Sequence, residues 1–150
     1  MVQYFTADGL KKLKEELHEL KTTEMRRIVK LIAEAAAFGD LKENAGYHDA
    51  RNAKSFLLGR IEQLENAINE AVIVEKKDDG KIQLGSNIVI LFDGEKEIYS
   101  VVAPTESDIL KNKISYESPL GQKLMGKKKG ENFIYEINGR KMEVKILEIN

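Results

Sequence analysis

Phe38-Gly39-Asp40-Leu41-Lys42-Glu43-Asn44-Ala45-Gly46-Tyr47 separates two long amphipathic patterns and sets two carboxylates between two glycines. Gly39 lets the backbone take a conformation closed to residues with a Cβ. Asn44 is a turn or cap residue that can hydrogen-bond its own backbone. The stretch therefore reads as the tip of a helical hairpin, with Asp40 and Glu43 at its far end.

Upstream, Met1 to Phe5 is apolar and aromatic, and Thr6 is placed to cap a helix with Asp8 in its first turn. Leu10, Leu13, Leu17 and Leu20 recur at the three–four spacing of a coiled-coil seam. Ile28, Leu31, Ile32 and Ala35 resume that stripe after a polar interruption at Thr22 to Glu24, which reads as a stutter. Downstream, Tyr47, Ala50, Leu57, Ile61, Leu64, Ile68 and Ala71 form the second stripe. Gly59 costs this helix about 1 kcal/mol relative to alanine and suggests close approach to the first leg. Two such helices and a glycine-bounded loop make an antiparallel αα-hairpin. Legs of about 30 residues project about 45 Å.

The pattern changes at Ala71-Val72-Ile73-Val74, which is apolar and β-branched. A polar linker at Lys76 to Gly80 precedes short apolar or alternating runs at Asn87–Phe92, Glu97–Ala103, Asn132–Ile137 and Lys141–Ile149. Asp93-Gly94 and Asn138-Gly139 are hairpin turn signals. Ser118-Pro119-Leu120-Gly121-Gln122-Lys123-Leu124-Met125-Gly126 reads as a short helix with Ser118 as its cap and Gly126 as its stop. The fold class is α+β. An N-terminal antiparallel α-helical coiled-coil hairpin occupies 1–75, and a small antiparallel β-sheet domain with one short helix occupies 76–150.

Composition narrows the function. A chain of 150 residues that is 42% hydrophobic and 33% charged suits a soluble protein of one or two small domains. With 24 basic against 25 acidic residues, no global basic field drives autonomous nucleic-acid binding. There is no cysteine, so thiol chemistry and disulfides are excluded, consistent with a reducing cytoplasm. No apolar run approaches the roughly 20 residues of a membrane span. The opening residues 1–11 lack the apolar core of a signal peptide.

Asp40 and Glu43 are the acidic pair at the geometrically special point. If the tip keeps a helical turn, carboxylates at i and i+3 face the same way and could hold one side of a Mg²⁺ ion. Two carboxylates make a poor site alone, but they could complete one on another macromolecule. Spacing alone favours the plainer alternative of a solvated acidic loop. His18 and His48 fall at opposite ends of the hairpin and cannot share a metal. Arg51, Lys54 and Arg60 follow the tip, where they could meet a nucleic-acid backbone or serve as ordinary flanking charges. Lys127-Lys128-Lys129-Gly130 reads as a solvated basic turn.

Residues Gly39 to Arg51 resemble the tip of the Gre-type bacterial transcript-cleavage factors. Thr6 to Leu17 is similar to that family's opening, Gly59-Arg60-Ile61 to the middle of its second helix, and Ser115 to Lys127 to its C-terminal signature. The modest basic content after the tip looks more like the GreA type than GreB. The resemblance implies a C-terminal domain of FKBP-like fold that docks on bacterial RNA polymerase at the rim of the secondary channel, with Ser118, Pro119, Leu120 and Gly121 in its signature. It implies a finger that enters the channel and meets the nascent RNA 3′ end. It also implies that Asp40 and Glu43 help hold a Mg²⁺ ion jointly with the polymerase and orient the attacking water. The factor would be a cytoplasmic monomer with no cofactor of its own and no membrane contact. It would not itself be an enzyme, because the polymerase cleaves the RNA.

Two departures stand out, one on each side of the acidic pair. Ala36, Ala37 and Phe38 occupy positions where such factors usually carry charged or polar residues, and Gly46 stands where a glutamate is common. They leave open an inhibitory homologue that fills the channel without promoting cleavage. An enzymatic alternative, a prolyl isomerase, would use Phe92, Tyr99, Tyr116, Phe133 and Tyr135 as pocket walls.

Overall fold

The computed structural model describes residues 2–150. Packing divides them into two units: residues 11–70, and the residues up to Leu10 together with Ala71–Asn150. This division differs from the boundary at 75–76 drawn on the change of sequence pattern. A short strand at the start of the chain joins the C-terminal unit.

The unit of residues 11–70 is the helical hairpin. Its first leg is α1 (Ala7–Glu19), a π-helical segment at Leu20–Glu24, and α2 (Met25–Ala36). The π-helical segment covers the polar interruption at Thr22 to Glu24. Wider turns absorb the out-of-step residues without ending the helix, and Thr22 Oγ1 donates to the His18 carbonyl at 2.7 Å. The second leg is α3 (Ala45–Asn69), whose 25 residues give about 37 Å rather than the expected 45 Å. Ile28 meets Leu57 and Ile61 at the centre of the seam, with Leu17, Leu20, Met25 and Ile32 around them. Arg60 fastens one leg to the other. Its Nε and NH2 atoms donate to the two Glu16 carboxylate oxygens at 3.0 and 3.1 Å. Lys21 pairs with Glu65 at 3.0 Å.

Two expectations about this unit are corrected. A Cβ on Gly59 would meet nothing within 4 Å, so this glycine marks no close approach. Leu31 is 42% exposed rather than part of the seam, because the neighbouring Ile28 and Ile32 already fill it.

In the other unit, β1 (Gln3–Phe5) and β2 (Ala71–Ile73) pair in parallel, Phe5 opposite Ile73. A sheet of five strands follows: β3 (Asn87–Phe92), β4 (Glu95–Val102), β5 (Lys113–Ser115), β6 (Asn132–Ile137) and β7 (Arg140–Ile149), in the order β5-β4-β3-β7-β6. Asp93-Gly94 and Asn138-Gly139 turn with positive φ at all four residues, as two-residue hairpins require. The sheet is mostly antiparallel, with one parallel pair at its edge, where β5 lies along β4. Between them the chain makes two 3₁₀ turns, Pro104–Glu106 and Ile109–Lys111, and returns to the same end. Helix α4 (Pro119–Leu124) packs Leu124 on a core of Ile82, Ile88, Ile90, Val101, Val144 and Ile146. Phe92, Tyr99, Tyr116, Phe133 and Tyr135 pack against that same core. The aromatic set read as isomerase pocket walls is therefore mainly structural, although Tyr116 also borders a cleft of about 470 Å³ with Tyr4 and Met125.

Candidate functional site

The tip occupies residues 37–44, between the last residue of α2 and the first of α3. Ala37, Phe38 and Gly39 continue hydrogen bonding back to the end of α2. The helix then stops at Gly39, whose φ of +116° is strained for any residue with a Cβ. Open space surrounds it, so conformation and not crowding calls for glycine here.

Asp40 and Glu43 are both exposed. The tip does not keep the helical turn on which a shared i, i+3 face depended, because Asp40 lies outside any regular element and residues 41–43 run through bends. The Lys42 amide donates to Asp40 Oδ1 at 3.0 Å, a local turn that orients the carboxylate. The Lys42 carbonyl lies 3.0 Å from Nε2 of the exposed His48. No group of three His, Cys, Asp or Glu residues that could hold a metal occurs among the described residues. The tip thus offers two solvent-facing carboxylates, whose oxygens suit Mg²⁺ as part of a larger donor set.

Asn44 holds the tip together. Its Oδ1 accepts from the Tyr47 amide at 3.0 Å, capping α3. Its Nδ2 donates to the Ala35 carbonyl at 2.6 Å, satisfying an end group of α2. One side chain thereby closes the hairpin on both sides of the acidic residues. The sequence marked Asn44 as a cap; the contact to Ala35, nine residues back, had no local signal.

Arg51 is exposed and stands 5.7 Å over the ring of Tyr47, a cation–π contact that steadies it beside the tip. Lys54 is half-buried, one turn further along α3. Ser118 Oγ accepts from the Gly121 amide at 3.0 Å and donates to the Ser115 carbonyl at 2.7 Å. Gly121 is buried, and a Cβ there would fall 2.0 Å from the Ser115 oxygen. Leu120 packs against the core, so of these four residues Pro119 presents the exposed surface.

Two family models match the chain. One is described as transcription elongation factor, N-terminal, over residues 3–73; the other as transcription elongation factor, GreA/GreB, C-term, over residues 76–150. A transcription elongation factor GreA of Shouchella clausii (strain KSM-K16) is 45% identical, with 97% of this chain and 95% of that protein covered. A transcription elongation factor GreA of Legionella pneumophila (strain Corby) is 42% identical, with 96% and 93% covered. A solved structure of the transcription factor Gfh1 matches 99% of this chain and 97% of its own, at 27% identity and a TM-score of 0.50. The two paired matches, end to end along the chain, show that it belongs to the GreA/GreB family of transcription elongation factors.

Proposed function

We propose that this protein enters the secondary channel of bacterial RNA polymerase and stimulates the polymerase's own hydrolysis of backtracked RNA. The observation that carries the reading is the tip: two exposed carboxylates on a loop that Asn44 braces, at the end of a hairpin whose second leg runs about 37 Å. Such a pair is an incomplete site by itself and a useful half of one elsewhere. Family membership points to the polymerase as the other half.

Asp40 and Glu43 would hold Mg²⁺ jointly with polymerase residues. When bound, the ion supplies positive charge against the charge that develops on the phosphodiester. The carboxylates also accept hydrogen bonds from water and so orient it for attack. Preorganisation matters here because a misplacement of about 1 Å can cost 100-fold in rate. Arg51 and Lys54 add positive charge beside the RNA backbone. Pro119 and its neighbours meet the channel rim. The protein works in the cytoplasm as a monomer, acts in trans and is not an enzyme alone. Among the described residues, no helix is long and apolar enough to cross a membrane.

The test is to add the protein to arrested, backtracked elongation complexes. Release of short 3′ RNA fragments followed by resumed synthesis supports the proposal. Slowed synthesis without fragments overturns it and identifies a channel inhibitor.

A further inference from the structure

We propose that Phe38, with the groove it borders, holds the unpaired base of the backtracked RNA 3′ end. This rests on the function proposed above and assigns part of its substrate to particular residues. Phe38 is 89% exposed, although it stands only two positions from Asp40. Beside it lies a groove of about 450 Å³ between α2 and α3, walled by Leu31, Ala35, Gly46 and Ala53. Glu34 and Asp49 supply polar atoms to its lining.

The chemistry of this groove selects a base over other parts of the nucleic acid. Its apolar walls and one free ring suit a flat heteroaromatic face, and stacking on a ring tolerates any of the four bases. Asp49, and Glu34 although it pairs with Lys30 at 3.8 Å, make the groove unfavourable for phosphate. The same carboxylates accept hydrogen bonds from base amino groups. The groove adjoins the acidic pair in sequence on both sides: Phe38 precedes Asp40, and Gly46 follows Glu43.

Gly46 keeps the groove open. Its φ is not among the positive values, so its backbone has no need of glycine. A Cβ there would make ordinary contacts, 3.5 Å from Asn44 Oδ1 and 4.0 Å from Ala35 Cβ. The missing side chain is therefore room in the groove rather than a requirement of the turn. Phe38 and Gly46, two departures that look unrelated along the chain, line one space.

The experiment compares wild type with Phe38→Ala, Phe38→Leu, Phe38→Trp and Gly46→Glu on backtracked elongation complexes, with the factor below saturation. Each is assayed on normal RNA and on RNA whose 3′-terminal nucleotide lacks its base. On normal RNA, Phe38→Ala, Phe38→Leu and Gly46→Glu should slow fragment release about 5-fold or more, the loss of one base–aromatic stack. Phe38→Trp should retain the wild-type rate. On abasic RNA, wild type should fall to the rate of Phe38→Ala. Helical circular dichroism should match in all five, since the ring is exposed.

Wild-type rates for Phe38→Leu overturn the proposal, since leucine is apolar but cannot stack. An equal loss for Phe38→Ala on both RNAs also overturns it and assigns the ring to a protein contact. Absence of release by wild type on normal RNA is a different result, and it overturns the proposed function itself.

Discussion

Replacing Asn44 by alanine separates the architecture of the tip from its carboxylates. Asn44→Ala removes the acceptor that caps α3 at the Tyr47 amide, a loss of about 1 kcal/mol. It also removes the donor to the Ala35 carbonyl, half-buried at 2.6 Å, for about 1 kcal/mol more. The sum is about 2 kcal/mol. If the hairpin unfolds as its own unit, a domain of this size loses about 10 °C in Tm for such a change. Asn44→Ser keeps a cap acceptor and loses the donor without setting a charge against the Ala35 carbonyl, so it should cost about half as much. The assay is thermal unfolding by far-ultraviolet circular dichroism, which the helices dominate. Native-state hydrogen exchange at the Tyr47 and His48 amides would serve as a local readout. A Tm for Asn44→Ala within a degree of wild type would refute the brace. Equal losses for the alanine and serine variants would refute the division between its two bonds.

Four further outcomes follow from particular residues. Gly59→Ala should stabilise the hairpin by about 0.5–1 kcal/mol in denaturant titration, because helix propensity improves and the added methyl meets open space. Gly121→Ala should destabilise the sheet unit by about 3 kcal/mol or more, since its Cβ would collide with the Ser115 oxygen at 2.0 Å, a backbone atom that cannot swing away. Glu16→Gln should cost about 0.5–1 kcal/mol at low salt and less at high salt, as befits a bidentate but partly exposed pair with Arg60. Burial pushes the Tyr99 and Tyr116 phenols above their ordinary value of 10.0. The native state thus favours their neutral form. Their contribution to stability is complete below about pH 10 and is lost as pH rises through the raised values; phenolate absorbance of the folded protein should titrate above that of the unfolded chain.

The elements legible in the sequence were those with a local physical cause. Asp93-Gly94 and Asn138-Gly139 demand positive φ, and the strands they join follow from alternation. The leucine seam and the polar interruption gave both the hairpin and the place where its first leg widens into π-helical turns. Strands β1, β2 and β5 have three residues each, too short for a period to register. The parallel edge of the sheet depends on a crossover through 3₁₀ turns and not on any strand's own pattern. Leu31 was misplaced because a stripe of apolar residues does not say which of two neighbours is squeezed outward. At the site, Asp40, Glu43 and the Asn44 cap were readable from a short stretch. The Asn44–Ala35 brace and the meeting of Phe38 with Gly46 were not, because both depend on the two legs lying side by side.

In the proposed function, Asp40 and Glu43 act chemically and are not simply an acidic turn. The most direct measurement is 3′ fragment release from backtracked RNA polymerase by wild type, Asp40→Asn, Glu43→Gln and the double variant, at saturating factor. The amide substitutions keep size and hydrogen bonding while removing charge, and both residues are exposed, so the fold should persist. Each single variant should lose about 100-fold or more, with the double variant little worse than either. Release at the wild-type rate by the double variant would contradict that role.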